Sequence, residues 1–111
     1  MLNDHKRLEK IDIGGGVLFQ NLGKGERMNV WHWDFQDKSG VKPHQHESEQ
    51  FGYIIKGGFE VTIGDEKAVL KAGDSYFIPS NTPHQFTAIG ETEAIDVFSP
   101  ARPDQDMPQK K

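Results

Sequence analysis

Apolar and polar residues alternate with a period of two through much of the chain: "VLFQNL" at 17 to 22, "MNVWHWDFQ" at 28 to 36 and "FEVTI" at 59 to 63. Successive side chains of an extended segment point to opposite faces, so this alternation predicts strands with one face against a core. The same reading predicts strands at 50 to 56, 66 to 71 ("EKAVLK"), 74 to 78, 84 to 89 and 93 to 98. Gly57-Gly58 and Gly64-Asp65 supply turn chemistry between neighbours, because glycine tolerates the positive φ of tight hairpins, and a meander of hairpins is expected. The expected barrel spans residues 17–99, behind an N-terminal segment 1–16 and ahead of a tail 100–111. That tail, "PARPDQDMPQKK", holds three prolines and few apolar groups, and its distal part is expected to be mobile.

Composition narrows the class. At 111 residues, 34% hydrophobic and 27% charged, with 12 Gly and 6 Pro, the chain suits one small, turn-rich, mostly β domain. There is no Cys, so a disulfide framework, a thiolate nucleophile and a Cys-based zinc site are excluded, and a metal would need His, carboxylate or amide ligands. The opening "MLNDHKRLEK" lacks an apolar stretch of signal-peptide length, and no later run is long and apolar enough for a bilayer; a cytoplasmic protein without a membrane partner is expected. A net charge of -4 without a basic stripe argues against nucleic acid and for a small molecule as partner. Gly14-Gly15-Gly16 precedes a strand-like run, so it reads as a flexible lead-in to the barrel rather than a phosphate loop.

The stretch "HQHESEQ" places His44 and His46 two residues apart, on one face of an extended segment. Alone, such a pair near a turn is also common in exposed loops. Gln50, Gly52 and Ile54 share the next strand's inner face, with Gly52 leaving space beside Gln50. In "GDSYFIPSNTPHQF", His84 and Phe86 share a face, and Pro79 and Pro83 bracket the turn that delivers His84. His5 lies in a charged N-terminal stretch and His32 between two tryptophans; neither has a spaced partner, so they read as tail and strand histidines.

These spacings resemble the two motifs of the cupin superfamily. His44, His46, Gln50 and Gly57 correspond to the first, and Gly73, Pro79, Asn81 and His84 to the second. The resemblance covers about Gly40 to Ala88 and implies an all-β fold: a single antiparallel β-barrel, or double-stranded β-helix, of jelly-roll type. It also implies that His44, His46, Gln50 and His84 bind one divalent transition metal ion, with Ni, Zn, Fe, Mn and Co all open. This sequence departs from the pattern at Gly40, which has three residues rather than five between it and His44, at Asn81 in place of Gly, at Ala88 in place of Asn, and at Gln50 where many members carry Glu. Three imidazoles and an amide leave an ion its full charge, which favours a Lewis-acid role.

The last predicted strand, "AIDVFSPARPD", places Asp96 and Phe98 on one face. A carboxylate turned into a barrel is costly unless it is paired or used. Asp96, Phe98 and Arg102, with "HQHESEQFGYIIKG", are similar to KdgF-type pectin-degradation proteins, cupins that convert 4,5-unsaturated uronates to linear keto sugars. That resemblance implies catalytic roles for Asp96 and Arg102, substrate contacts for Phe98 and Arg102, and an anionic small-molecule substrate. A metal-dependent oxygenase and a non-catalytic binder of small anions or sugars stay open as alternatives. Phe51, Tyr53 and Ile55 face away from the cavity in this register and need a cover, for which a homodimer is expected.

Overall fold

The computed structural model describes all 111 residues and contains ten strands: β1 (Ile11–Gly14), β2 (Val17–Lys24), β3 (Asn29–Phe35), β4 (Gly40–His44), β5 (Glu49–Lys56), β6 (Gly58–Ile63), β7 (Glu66–Lys71), β8 (Ser75–Ile78), β9 (His84–Ala88) and β10 (Thr92–Ser99). Short 3-10 turns at His5–Arg7 and Asp104–Asp106 are the only helical pieces. The strands form two antiparallel sheets, one of six in the order β1-β2-β3-β10-β5-β8 and one of four in the order β4-β9-β6-β7. This is the all-β jelly roll expected from the sequence.

The eight strands anticipated from alternation all form, but their connections differ from a meander. β6 and β7 make a hairpin through Gly64-Asp65, with Ile63 opposite Glu66. β5 and β6, by contrast, lie in different sheets, so Gly57 sits at a corner where the chain crosses between layers. Its φ is +76°, and a side chain there would collide with the backbone of Glu91, a position only glycine fills without strain. Two strands escaped the pattern. β1 folds onto β2 through the Gly14–Gly16 turn, so the triplet is a hairpin turn rather than a flexible lead-in. β4 contains Pro43 and shows no buried alternation; it is an edge strand paired only with β9, where a proline costs no ladder bond.

The core lies between the sheets. Phe19, Ile54, Phe59, Ile78 and Phe98 are essentially fully buried, with Trp31, Trp33 and Phe35 around them. Each such side chain contributes about 1.5–3 kcal/mol on burial. Edge-on aromatic contacts, such as Trp31 to Phe98 at 4.7 Å between centroids, fill the space that a small barrel leaves between its layers.

The tail lies against the barrel. Met107 rests against the core, and the Lys111 backbone N–H donates to the Asp12 carbonyl at 3.0 Å while its ammonium pairs with the Asp12 carboxylate. On the opposite side of the six-stranded sheet from the core, Phe51, Tyr53, Ile55 and Phe77 are exposed. No helix is long and apolar enough to cross a membrane.

Candidate metal centre

β4, the loop after it, and β9 bring three histidines together at one end of the barrel. Ring centroids lie 4.2 Å apart for His44 and His84, 4.8 Å for His46 and His84, and 5.5 Å for His44 and His46. Their nearest ring nitrogens fall within 4.8 Å of one another, an arrangement that could hold a metal ion.

The hydrogen bonds behind the rings decide which nitrogens are free. The Nδ1–H of His44 donates to the Lys42 carbonyl at 2.9 Å, that of His46 to Ser48 at 2.9 Å, and that of His84 to Thr82 at 2.8 Å. A carbonyl only accepts, so each Nδ1 carries the proton and each Nε2 presents a lone pair. The Nε2 of His84 is buried with no protein partner, an orphaned acceptor of the kind a metal satisfies. Burial pushes the pKa of all three below the ordinary histidine value, His84 to about 4, and the nearby Arg102 guanidinium pushes the same way. The rings are therefore neutral near pH 7, the form that ligates.

Gln50 stands beside them on β5, 4% exposed, with its Oε1 3.0 Å from the His46 Nε2. The amide also helps hold down the pKa of the nearby Asp96 carboxyl. With the His46 Nδ1 proton given to Ser48, the amide oxygen and the bare His46 Nε2 confront each other as two acceptors, a pairing that becomes favourable with a cation between them. Asn81, in the loop ahead of His84, has a φ of +56°; asparagine tolerates this left-handed conformation where the motif has glycine, so the departure leaves the His84 turn intact.

Asp96 faces inward from β10 and is 6% exposed. The Tyr76 hydroxyl donates to its Oδ1 at 2.7 Å. Burial raises the Asp96 pKa to about 6, with Tyr76, Gln50, Trp33 and the Arg102 charge pulling the other way. Burial and the same carboxylate push the Tyr76 hydroxyl well above its usual range. Tyr76 was not singled out from the sequence. The available signal was Gly52, which pairs with Tyr76 across β5 and β8; a Cβ on Gly52 would overlap the Tyr76 ring, so the space left beside Gln50 belongs to this tyrosine.

A cavity of about 150 Å³ lies over these groups, with His44, Gln50, Tyr76, Asp96, Phe98 and Arg102 in its wall. Phe98 packs edge-on to His46 at 5.7 Å and closes the floor. Arg102 is held over the rings of Trp31 and Phe98, 5.0 and 5.1 Å from their centroids. A larger open groove, about 520 Å³, runs past Asp12, Asp34, Lys56 and Glu93, away from His44, His46 and His84.

Residues 30–98 match the cupin domain. The chain belongs to the cupin family. This cupin is 42% identical over 97 residues to the pectin degradation protein KdgF of Dickeya dadantii (strain 3937), a match covering 78% of this chain and 88% of that protein. Among solved structures it resembles an RmlC-like cupin from Shewanella frigidimarina, with a TM-score of 0.87 at 33% identity over 93% of each chain. It also resembles KdgF from Halomonas sp., with a TM-score of 0.85 at 30% identity over 95% of this cupin and 96% of that chain.

A second cluster, one histidine with two carboxylates, lies on the outer face of the six-stranded sheet. His32 does have partners there, contrary to the sequence reading: its Nε2–H donates to Glu93 at 2.6 Å, and its Nδ1 is 3.9 Å from Asp34. They come from a neighbouring strand and from position i+2.

Proposed function

We propose that this cupin ketonises a 4,5-unsaturated uronate, or a related sugar acid, using one divalent transition metal held by His44, His46, Gln50 and His84. The carrying observation is the buried Asp96, hydrogen-bonded to Tyr76 and sharing one small cavity with His44, Gln50 and Arg102. The similarity to KdgF proteins along most of the chain supports the same reading. A cavity of about 150 Å³ falls below the roughly 300–1,000 Å³ of drug-sized sites and suits a monosaccharide acid better than a polymer.

The conversion is an isomerisation and consumes no co-reactant. The C1–O5 bond of the cyclic hemiacetal breaks with its electron pair going to O5, the C1 hydroxyl gives up its proton to become an aldehyde, and the resulting C5 enolate becomes a ketone as C4 gains a proton. One residue can carry out both transfers, accepting a proton from oxygen and returning one to carbon, and so finish in its starting state. Asp96 fits that task, because its pKa of about 6 leaves both forms accessible near neutrality. Bound metal would supply Lewis-acid stabilisation of oxyanion charge. Arg102 takes the substrate carboxylate through paired hydrogen bonds that lysine does not reproduce. Phe98 and Trp31 form an apolar wall that keeps the guanidinium out of water and faces the ring.

The decisive test follows loss of the conjugated-alkene absorbance of 4,5-unsaturated galacturonate with metal-loaded protein. Loss well above the spontaneous rate in wild type, abolished in Asp96→Asn, is the expected result. Wild type indistinguishable from buffer with metal bound sinks the reading, and oxygen uptake in its place would point to an oxygenase. We further propose a cytoplasmic homodimer paired through the exposed Phe51, Tyr53 and Phe77 face; sedimentation at a monomer's rate would refute that assembly.

A further inference from the structure

Arg102 lies beyond the last strand, in a segment whose composition gives it no reason to be ordered, yet its side chain is only 11% exposed. The restraint comes from far away in sequence. Asn29, at the start of β3 and 4% exposed, turns its amide inward on the same face as Trp31. Its Nδ2 donates to the Arg102 carbonyl at 3.2 Å, and the Arg102 backbone N–H donates to its Oδ1 at 3.1 Å. An amide that both gives to and takes from one residue mimics a strand ladder and fixes that residue's backbone at a single point. Just before it, the Ser99 hydroxyl donates to the Arg27 carbonyl at 2.8 Å, tying the same stretch to the loop that leads into β3.

The side chain is fixed separately. The Arg102 Nε–H donates to Asp106 Oδ2 at 3.2 Å, one turn onward in the tail, and the planar group lies over Trp31 and Phe98. Asp106 occupies the Nε edge, and the other guanidinium donors have no protein hydrogen-bond partner while Arg102 forms part of the cavity wall. A guanidinium held in one orientation loses less freedom on meeting a carboxylate than one that must be ordered by it.

We infer that Asn29 and Asp106 are positioning residues that hold Arg102 preorganised for the carboxylate of the ligand, Asn29 through the backbone and Asp106 through the Nε edge. The inference rests on the reading of the cavity as a site for a sugar acid. Asn29 itself touches no substrate; it acts through Arg102. A buried asparagine retained among aromatic residues, with both ends of its amide spent on one distant residue, has its explanation in that residue's placement.

Two readouts test this on full-length, metal-loaded protein. The first is the Arg102 Nε–H signal in proton–nitrogen NMR, displaced in wild type by the Trp31 and Phe98 rings. Asn29→Ala and the milder Asn29→Ser are expected to return it toward the position of free arginine and to speed its hydrogen exchange by about tenfold or more; an unmoved signal in whichever variant folds overturns the positioning role. The second is the dissociation constant for galacturonate, with galactose as the uncharged control. Asn29→Ser, Asp106→Asn and Arg102→Ala should each weaken galacturonate by about tenfold or more, leave galactose unchanged, and show no further loss when Asn29→Ser is added to Arg102→Ala. Additive losses mean that Asn29 acts elsewhere, and an Arg102→Ala variant that binds galacturonate as wild type does removes the carboxylate role; either result overturns the inference. Intact galacturonate binding without ketonisation would instead reject the proposed reaction and leave the positioning role standing.

Discussion

A cluster of three histidines lies inside the barrel and a cluster around the single His32 lies on the outer face of the six-stranded sheet, and they are built by opposite rules. In the barrel, His44, His46 and His84 rest on backbone carbonyls and turn bare nitrogens toward one another, with a neutral amide as neighbour. On the outer face, His32 lies between Glu93 and Asp34, and Lys10 stands 3.1 Å from Asp34. The outer cluster already contains a cation, the Lys10 ammonium on Asp34, although the buried His32 Nδ1 has no hydrogen-bond partner. The inner one collects acceptors without a donor, so its balance is complete only with an added positive charge. Proximity of histidines and carboxylates does not distinguish a metal centre from a structural ion-pair cluster; the hydrogen bonds behind the rings do.

The largest expected effect breaks the inner cluster. His84→Ala should weaken binding of zinc or nickel by at least about 100-fold, while His32→Ala should leave one metal per chain, both read by calorimetric titration of metal-stripped protein. Next, Gln50→Glu would give the ion a charged ligand at the cost of placing a carboxylate beside Asp96. Metal affinity should rise by about tenfold, and ketonisation should fall by about tenfold or more, because two carboxylates in contact hold a shared proton too tightly. A gain in both would show that the amide is incidental.

The outer cluster answers to stability. His32→Gln should cost about 1–2 kcal/mol in denaturant unfolding by losing a charge-assisted contact with Glu93, with no change in metal content. The smallest effect is one of slope. In metal-free protein the His84 pKa of about 4, against an ordinary 6.5, means the folded chain binds fewer protons than the unfolded chain between those values, so that contribution to stability rises with pH. Asp96, at about 6 against 3.8, binds more protons when folded and contributes stability that declines as pH rises over the same range. The two slopes oppose. Asp96→Asn should therefore make the melting temperature climb more steeply between pH 4 and 6 than in wild type, measured with chelator present; an unchanged or shallower profile would refute the burial of a titrating Asp96.

Much of the site could be read directly. His44, His46, Gln50 and His84 stand at spacings that only a particular pair of strands and turns makes useful, and the inward face of β10 followed from counting by twos from Phe98 to Asp96. Alternation is a local consequence of extended backbone, so it survives without knowledge of what a strand packs against. β4 carried no such signal, because an edge strand with Pro43 and half-exposed residues has no buried face to alternate. The hairpin expected at Gly57 failed for a related reason: a positive-φ glycine permits a sharp turn but does not say whether the chain returns to its own sheet or crosses to the other.

By itself, then, the sequence determined the strand count to within two, the inward parity of the functional residues and the histidine spacing, because these depend on backbone geometry over a few residues. The tertiary structure alone decided which residues meet at long separation. Tyr76 reaches Asp96 over Gly52, Asn29 takes hold of Arg102, Lys111 fastens to Asp12, and His32 finds Glu93. Such contacts depend on how the two sheets are ordered and stacked, and the order of strands in a jelly roll is set by the packing of the whole core rather than by any segment's pattern.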